Sequence, residues 1–328
     1  MAAPALLILI GGCGKGVQTA MPAVELEEDQ SASQRQAVGL YVDAMMLKEL
    51  NEPNKAIAKL DAALELDPRF ALGYSLKGDI YRMGGEYEKS ADAYEQATEL
   101  DPWSLKDFFN MGKVTQMTEQ FARAIRAYVT ACELDGRHYE SHIGAAQCYL
   151  AVEDFDRAIE YGRLAGEIDP NSPDPAVVLG DVYKARKEHG KAIEAYRRAL
   201  DLGGARPQVM VSLAVVYLRN EDFVPARDLL TDVIEIEPTN AQAHQYLGYA
   251  WLKLKDVDKA IANYETAARL DPDDWTAKKG LGVSYILKSV AANDDTFKAK
   301  GLAQWAESLR IEPDQPGLRE LYERYANQ

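Results

Sequence analysis

The chain has 328 residues and is acidic, with 52 Asp and Glu against 37 Lys and Arg and a net charge of −15. Hydrophobic residues at 47% and charged residues at 27% are globular values, which excludes wholesale disorder. The acidity argues against a nucleic-acid ligand, since no basic surplus exists to displace phosphate counterions, and three cysteines are too few for a disulfide framework.

In chain order, the first segment is Met1 to Gly16, MAAPALLILIGGCGKG. The aliphatic run Leu6 to Ile10 is too short to span a bilayer and suits the apolar region of a secretory signal ending in small residues. Ile10-Gly11-Gly12-Cys13 resembles the lipobox of bacterial lipoproteins. That resemblance implies a signal peptide over residues 1–12 and a diacylglycerol thioether on Cys13. Gly14 after it implies outer-membrane sorting. A phosphate-binding loop is excluded here, because the first glycine of its motif, six before Lys15, is replaced by Leu9 and the residue after the lysine is Gly16, not Ser or Thr. Residues 13–36, with Met21-Pro22, the acidic run Glu25 to Asp29 and Ser31-Ala32-Ser33, read as a flexible tether from the anchor.

From residue 37 onward the chain repeats. Leu66-Asp67-Pro68, Leu100-Asp101-Pro102, Ile168-Asp169-Pro170, Ile236-Glu237-Pro238 and Leu270-Asp271-Pro272 recur at intervals of 34 or twice 34, with Gly136 and Gly204 at the intervening marks. Each unit thus ends in a residue that stops a helix. Small residues hold the same register. Ala63, Ala97, Ala131, Ala165, Ala199, Val233 and Ala267 stand five before each terminator, and Ala56, Ser90, Ala124, Ala158, Ala192, Ala226 and Ala260 twelve before. Ala44, Gly78, Gly112, Ala146, Gly180, Ala214 and Gly248 stand twenty-four before. These are points of close helix approach, with Tyr94, Tyr128, Tyr196 and Tyr264 among the large residues between them. Short polar breaks such as Gly84-Gly85-Glu86 divide each unit into two helices.

Period, helix count and pattern resemble the tetratricopeptide repeat, over about residues 37–315. Seven units run 37–70, 71–104, 105–138, 139–172, 173–206, 207–240 and 241–274. An eighth runs 275–315, its step from Pro272 to Pro313 being 41, and its surplus is expected near 291–300, in the turn between its helices. Residues 316–328 read as a capping helix, with Arg319, Glu320, Glu323 and Arg324 facing water. The resemblance implies an all-α fold, a right-handed α-solenoid of stacked helix-turn-helix units, whose first helices line a concave groove for a peptide or helix of a partner.

Carrying the family's groove onto this chain gives Tyr41, Met45, Asp79, Lys106, Phe109, Asn110, Lys113, Gln147, Asp181, Gln245 and Tyr249 as candidate partner-binding residues. Lys106, Phe109, Asn110 and Lys113 form the expected local hot spot, two cations flanking an aromatic ring and an amide. They resemble a fragment of the family's carboxylate clamp, but Asp79 and Glu140 occupy the neighbouring units where further basic or Asn residues belong.

Nothing here promises chemistry. His138 and His142 with Glu140 read His-Tyr-Glu-Ser-His, not the zinc-protease order, so no metal and no cofactor is expected. Cys132 and Cys148 read as buried free thiols, with a bridge as the alternative. No nucleophile motif appears, and the many carboxylates fall on solvated faces or in Asp-Pro turns, where they are expected to cap the next helix. The expectation is a non-enzymatic scaffold without a small-molecule substrate. It is lipid-anchored and periplasm-facing, in pilus, secretion or envelope assembly; the alternative is a cytoplasmic co-chaperone or regulatory scaffold without an anchor.

Overall fold

A fourteen-residue helix cannot hide its apolar stripe alone, so the repeats can be stable only by stacking. The computed structural model describes residues 23–327, which are all-helical, with seventeen helices and no strand among them. The helices are α1 (Ala23–Glu49), α2 (Pro53–Leu66), α3 (Ala71–Met83), α4 (Tyr87–Leu100), α5 (Leu105–Met117), α6 (Phe121–Leu134), α7 (Tyr139–Ala151), α8 (Phe155–Ile168) and α9 (Asp174–Ala185). They continue with α10 (His189–Gly203), α11 (Pro207–Arg219), α12 (Phe223–Ile236), α13 (Ala241–Lys253), α14 (Val257–Leu270), α15 (Trp275–Ala292), α16 (Asp295–Ile311) and α17 (Pro316–Ala326). Odd-numbered helices from α1 to α15 open the repeats and even-numbered ones close them. The chain divides into two compact units between Asp107 and Phe108.

Each hairpin turns through one residue in the left-handed region: Asn51, Gly85, Glu119, Glu153, Lys187, Glu221, Lys255 and Asn293. Only Gly85 escapes the Cβ clash, which costs the others about 1–2 kcal/mol each. Asp154 and Asp256 then cap α8 and α14 by accepting the amides of Arg157 and Lys259. The aspartates of the inter-repeat turns do something else. Asp67, Asp101, Asp135, Asp169 and Asp271 each accept the amide two residues on, at 2.9–3.1 Å. They close the turn and do not cap the following helix, because a side chain this short reaches its own turn first.

The core is a sequence of matched volumes. Counting each repeat from its first residue, the eighth position lies under the twenty-fourth. Where the eighth is Gly78, Gly112, Gly180 or Gly248, the twenty-fourth is Tyr94, Tyr128, Tyr196 or Tyr264, at most 3% exposed. A Cβ on Gly78, Gly112 or Gly180 would stand 2.7 Å from the tyrosine ring, and one on Gly248 2.9 Å. Where the eighth position is Ala44 or Ala214, the twenty-fourth is Leu60 or Leu230. In the last repeat Gly282 meets Trp305, 2.3 Å from an added Cβ.

Two expectations need correction. Residues 23–36 belong to α1 and are not a tether: Ala23 to Val38 contains no Gly or Pro and is rich in Glu, Gln and Ala, which favour helix even without a persistent apolar period. Residues 1–22, including Cys13, lie outside the described residues. The surplus of the eighth repeat is not in its turn either. From Lys255 to Asn293 the left-handed position advances 293 − 255 = 38 residues, four more than usual, and three more follow before Pro313. Thus α15 has 18 residues and α16 has 17, against 13 and 14 in α13 and α14. Four and three residues are each about one helical turn of 3.6, so both helices lengthen without rotating their faces. Beyond them α17 buries Leu318 in a cluster with Ile286 and Trp305, whose ring meets Tyr325 edge-on at 5.9 Å. Arg319, Glu320, Glu323 and Arg324 are exposed.

Two stability outcomes follow. Gly180→Ala should cost about 1–3 kcal/mol in denaturant melts, and adding Tyr196→Leu should recover part of it, because the pair then copies Ala214 and Leu230. Lys187→Gly should raise the melting temperature, the relieved strain of about 1–2 kcal/mol exceeding the entropy cost of glycine, whereas Lys187→Val should lower it.

Candidate protein-binding face

In the first unit, Tyr41 is half-buried and packs edge-on against Phe70, with ring centroids 5.3 Å apart, while Met45 is exposed. Asp79 accepts hydrogen bonds from the Tyr94 hydroxyl at 2.6 Å and from Lys106 Nζ at 2.7 Å. Lys106 also reaches Ser75 Oγ at 3.3 Å, and Ser75 donates to the buried Asp107 carboxylate at 2.6 Å. Burial, helped by Asp79, raises the Tyr94 phenol well above its ordinary pKa. The charge on Lys106 is therefore met by Asp79 within the protein, which the expectation of a hot spot did not foresee.

In the second unit, Phe109 lies 4.9 Å from the His138 ring and 6.1 Å from Tyr128, with Lys113 Nζ 5.5 Å from its centroid. Phe109 and Asn110 are half-buried and Lys113 is exposed, so Phe109 serves packing more than display. Gln147 is exposed and accepts from Gln116 Nε2 at 3.1 Å, while Gln116 accepts from the Tyr128 hydroxyl at 2.8 Å. Asp181 accepts from the Tyr196 hydroxyl and from Lys184, both at 2.6 Å. Asp79 and Asp181 thus do the same task one hundred and two residues apart, anchoring a buried tyrosine and neutralising a lysine.

Gln245 and Tyr249 sit elsewhere, in a cleft of about 570 Å³ lined mainly by the first helices α11, α13 and α15, with Phe223 of α12 and Tyr264 of α14. Its apolar lining includes Val215, Leu218, Phe223, Leu252 and Val283. Tyr249 is 36% exposed and meets Phe223 edge-on, and Gln245 donates to Thr276 Oγ1 at 2.6 Å. Arg219, Lys279 and Glu221 supply the charges. Sequence reasoning missed the aliphatic floor. The signal was the ninth position, which is Asp79, Lys113, Gln147 and Asp181 in repeats two to five and Val215, Tyr249 and Val283 in repeats six to eight. A second cleft of about 530 Å³ involves α8, α9 and α10, and its side chains alternate in sign, with Arg163, Glu167, Lys191, Glu194 and Arg198.

The remaining candidates are structural. His138 Nδ1 accepts the Ser141 amide as the N-cap of α7, and His142 Nε2 faces the Gly136 carbonyl at 3.1 Å. Among the described residues no group of three His, Cys, Asp or Glu side chains could hold a metal, and no helix is long and apolar enough to cross a membrane. Cys132 and Cys148 are buried and free, so the alternative of a bridge between them is not realised. Burial pushes both thiols up to about 12, assisted at Cys132 by Glu133 and Asp135. Both should therefore react with a disulfide reagent far more slowly at pH 8 in the folded chain than in urea, as absorbance of the released thiolate would report. Since folding favours the protonated thiols, stability should be level below about pH 9 and fall as pH rises toward 12.

Comparison with known proteins agrees with this architecture. The tetratricopeptide repeat family matches residues 44–102, 117–173, 177–241 and 241–274. No curated protein matches the chain. Among solved structures, the Cut9–Hcn1 hetero-tetramer of the APC/C aligns with a TM-score of 0.57 at 20% identity, over 87% of this chain and 55% of that one. Yeast Tom70 aligns at 0.52 and 20%, over 84% and 59%, so this chain spans under two thirds of either relative. A tetratricopeptide repeat protein from Parabacteroides merdae aligns at 0.55 and 15%, over 76% of this chain and 99% of its own. At these identities the likeness is one of fold.

Proposed function

The chain belongs to the tetratricopeptide-repeat family, a family of protein- and peptide-binding scaffolds that are typically non-catalytic, and we propose that it is a lipid-anchored adaptor of the bacterial envelope. In this reading a diacylglycerol on Cys13 holds it to the membrane, facing the periplasm, and a peptide or helix of a partner lies on the first helices of its repeats. The observation that carries the binding half is the cleft of about 570 Å³ lined mainly by α11, α13 and α15, where the exposed Tyr249 and the half-buried Val215, Phe223, Leu252 and Val283 share one cavity with Arg219 and Lys279. The anchor rests on Ile10-Gly11-Gly12-Cys13 and the aliphatic run before it. A pilus, secretion or cell-envelope assembly is the setting in which such an adaptor would serve.

Labelling with radioactive palmitate in a bacterial host tests the anchor. The natural chain should carry label in the membrane fraction, and Cys13→Ser should lose both label and membrane association. An unlabelled, soluble natural chain retaining Met1 would favour the cytoplasmic scaffold instead. The binding half is tested by Tyr249→Ala, which should leave the circular dichroism spectrum unchanged while weakening capture of the partner about tenfold or more.

A further inference from the structure

We infer that the cleft over repeats six to eight takes an internal, extended segment in which apolar residues are flanked by carboxylates. This rests on the binding half of the reading above and names the ligand's chemistry. In a chain with fifteen more acids than bases, several cations on or at the ends of the first helices are neutralised at home: Lys106 by Asp79, Lys184 by Asp181, and Arg186 by Asp156 and Glu188 at 2.7 and 2.8 Å. The cations that line the cleft differ, although Lys288 further along α15 is paired with Asp258 at 2.6 Å. With Val215, Tyr249 and Val283 at the ninth position, the aspartates that would neutralise such cations are gone. Among the described residues, no carboxylate pairs with Arg219, Lys253 or Lys279 within 4 Å.

Lys253 and Lys279 instead stand beside aromatic rings. Lys253 Nζ stands 5.4 Å from the Tyr249 centroid and 5.9 Å from that of Phe223, and Lys279 Nζ is 5.9 Å from Trp275. Arg219 and Lys279 line the cleft itself, with Glu221 as the single carboxylate there. Two cations against one acid in the lining, with Lys253 beside Tyr249, over an apolar floor, complement a segment that carries carboxylates beside its apolar side chains. A basic segment would meet the same cations and be repelled.

The lengthened eighth repeat extends this surface. Val283 lines the cleft, and Leu287 and Val290 stand four and seven residues further along α15, on the same helix face. They are 45% and 71% exposed. Leu287 falls where the last regular turn of a first helix would end, and Val290 belongs to the added turn. The insertion thus prolongs one apolar wall of the cleft by about 5 Å, the rise of one turn.

The test is fluorescence polarisation on the full chain with a short synthetic peptide. The peptide is amidated at its C-terminus, so only side-chain carboxylates are read, and it carries Phe and Leu between Asp and Glu residues. A twin replaces every acid with Lys. The acidic peptide should bind saturably and the basic twin should not. Arg219→Glu with Lys279→Glu should weaken the acidic peptide about tenfold or more and admit the twin. Leu287→Glu with Val290→Glu should also weaken the acidic peptide. Both pairs lie on half-exposed or exposed positions, and unchanged melting curves would show that the fold is kept. Equal binding of the two peptides, or an unchanged affinity after charge reversal, would overturn the charge assignment. Panning a random-peptide display library on the same chain separates the two readings. Selected peptides of other chemistry that lose binding with Tyr249→Ala would leave the cleft a peptide site and sink only its preference for acids. A library yielding no peptide sensitive to Tyr249→Ala would sink both.

Discussion

Everything in this protein depends on how near one helix backbone can come to another. A tyrosine ring can lie flat across a helix only where that helix has no Cβ, and at Gly78, Gly112, Gly180 and Gly248 the ring takes that space. The gain is a large, dry contact, about 1.5–3 kcal/mol for each buried ring. The hydroxyl remains a polar group in the interior and must be satisfied. Asp79, Gln116 and Asp181 do so for Tyr94, Tyr128 and Tyr196. A packing choice at one position therefore dictates a polar residue at another, and that polar residue lies on the face where a partner would be sought.

This coupling explains what could be read from the sequence. The small residues five and twelve before each terminator, such as Ala131 and Ala124, are fully buried, because a position defined by steric exclusion admits few side chains and so repeats visibly. The groove residues are different. Position alone marked Asp79, Lys106 and Asp181 as surface, yet whether a surface charge is available depends on neighbours that are remote in sequence, as Lys106 is from Asp79. Phe109 looked like display and turned out to pack on His138. The start of α1 and the lengthening of α15 and α16 were illegible for another reason. Helix propensity without an apolar period leaves no mark at residues 23–36, and an insertion of one turn in each helix shifts the terminator without shifting either helix's pattern.

The electrostatic character of the chain changes along it. In repeats two and five, carboxylates on the first helices are occupied by lysines and phenols of the same protein, so the surface presents little uncompensated charge. In repeats six to eight Lys288 still pairs with Asp258, but Arg219 and Lys279 of the cleft lining do not share such a pairing, and Val215, Tyr249 and Val283 take the ninth position. An acidic protein thereby presents a local surface of the opposite sign, and long-range repulsion from the rest of the chain is relieved only at short range, within about a Debye length of 8–10 Å. A segment drawn there is selected at contact distance.

The volume matching also crosses from one repeat to the next. Tyr128 and Tyr264 press on Gly144 and Gly280 at the sixth position of the following repeat, and Tyr196 meets Ser212 there. Leu230, smaller, is followed by Tyr246. Excision of repeat six alone would bring Tyr196 against Tyr246, two rings in the room of one. Excision of repeat seven alone would leave Leu230 facing Gly280, with a void between. Loss of six and seven together would set Tyr196 on Gly280, a pairing the chain already uses at Tyr128 and Gly144. In this stretch the smallest length of chain whose removal keeps ring matched to glycine is two hairpins, 68 residues, and not one.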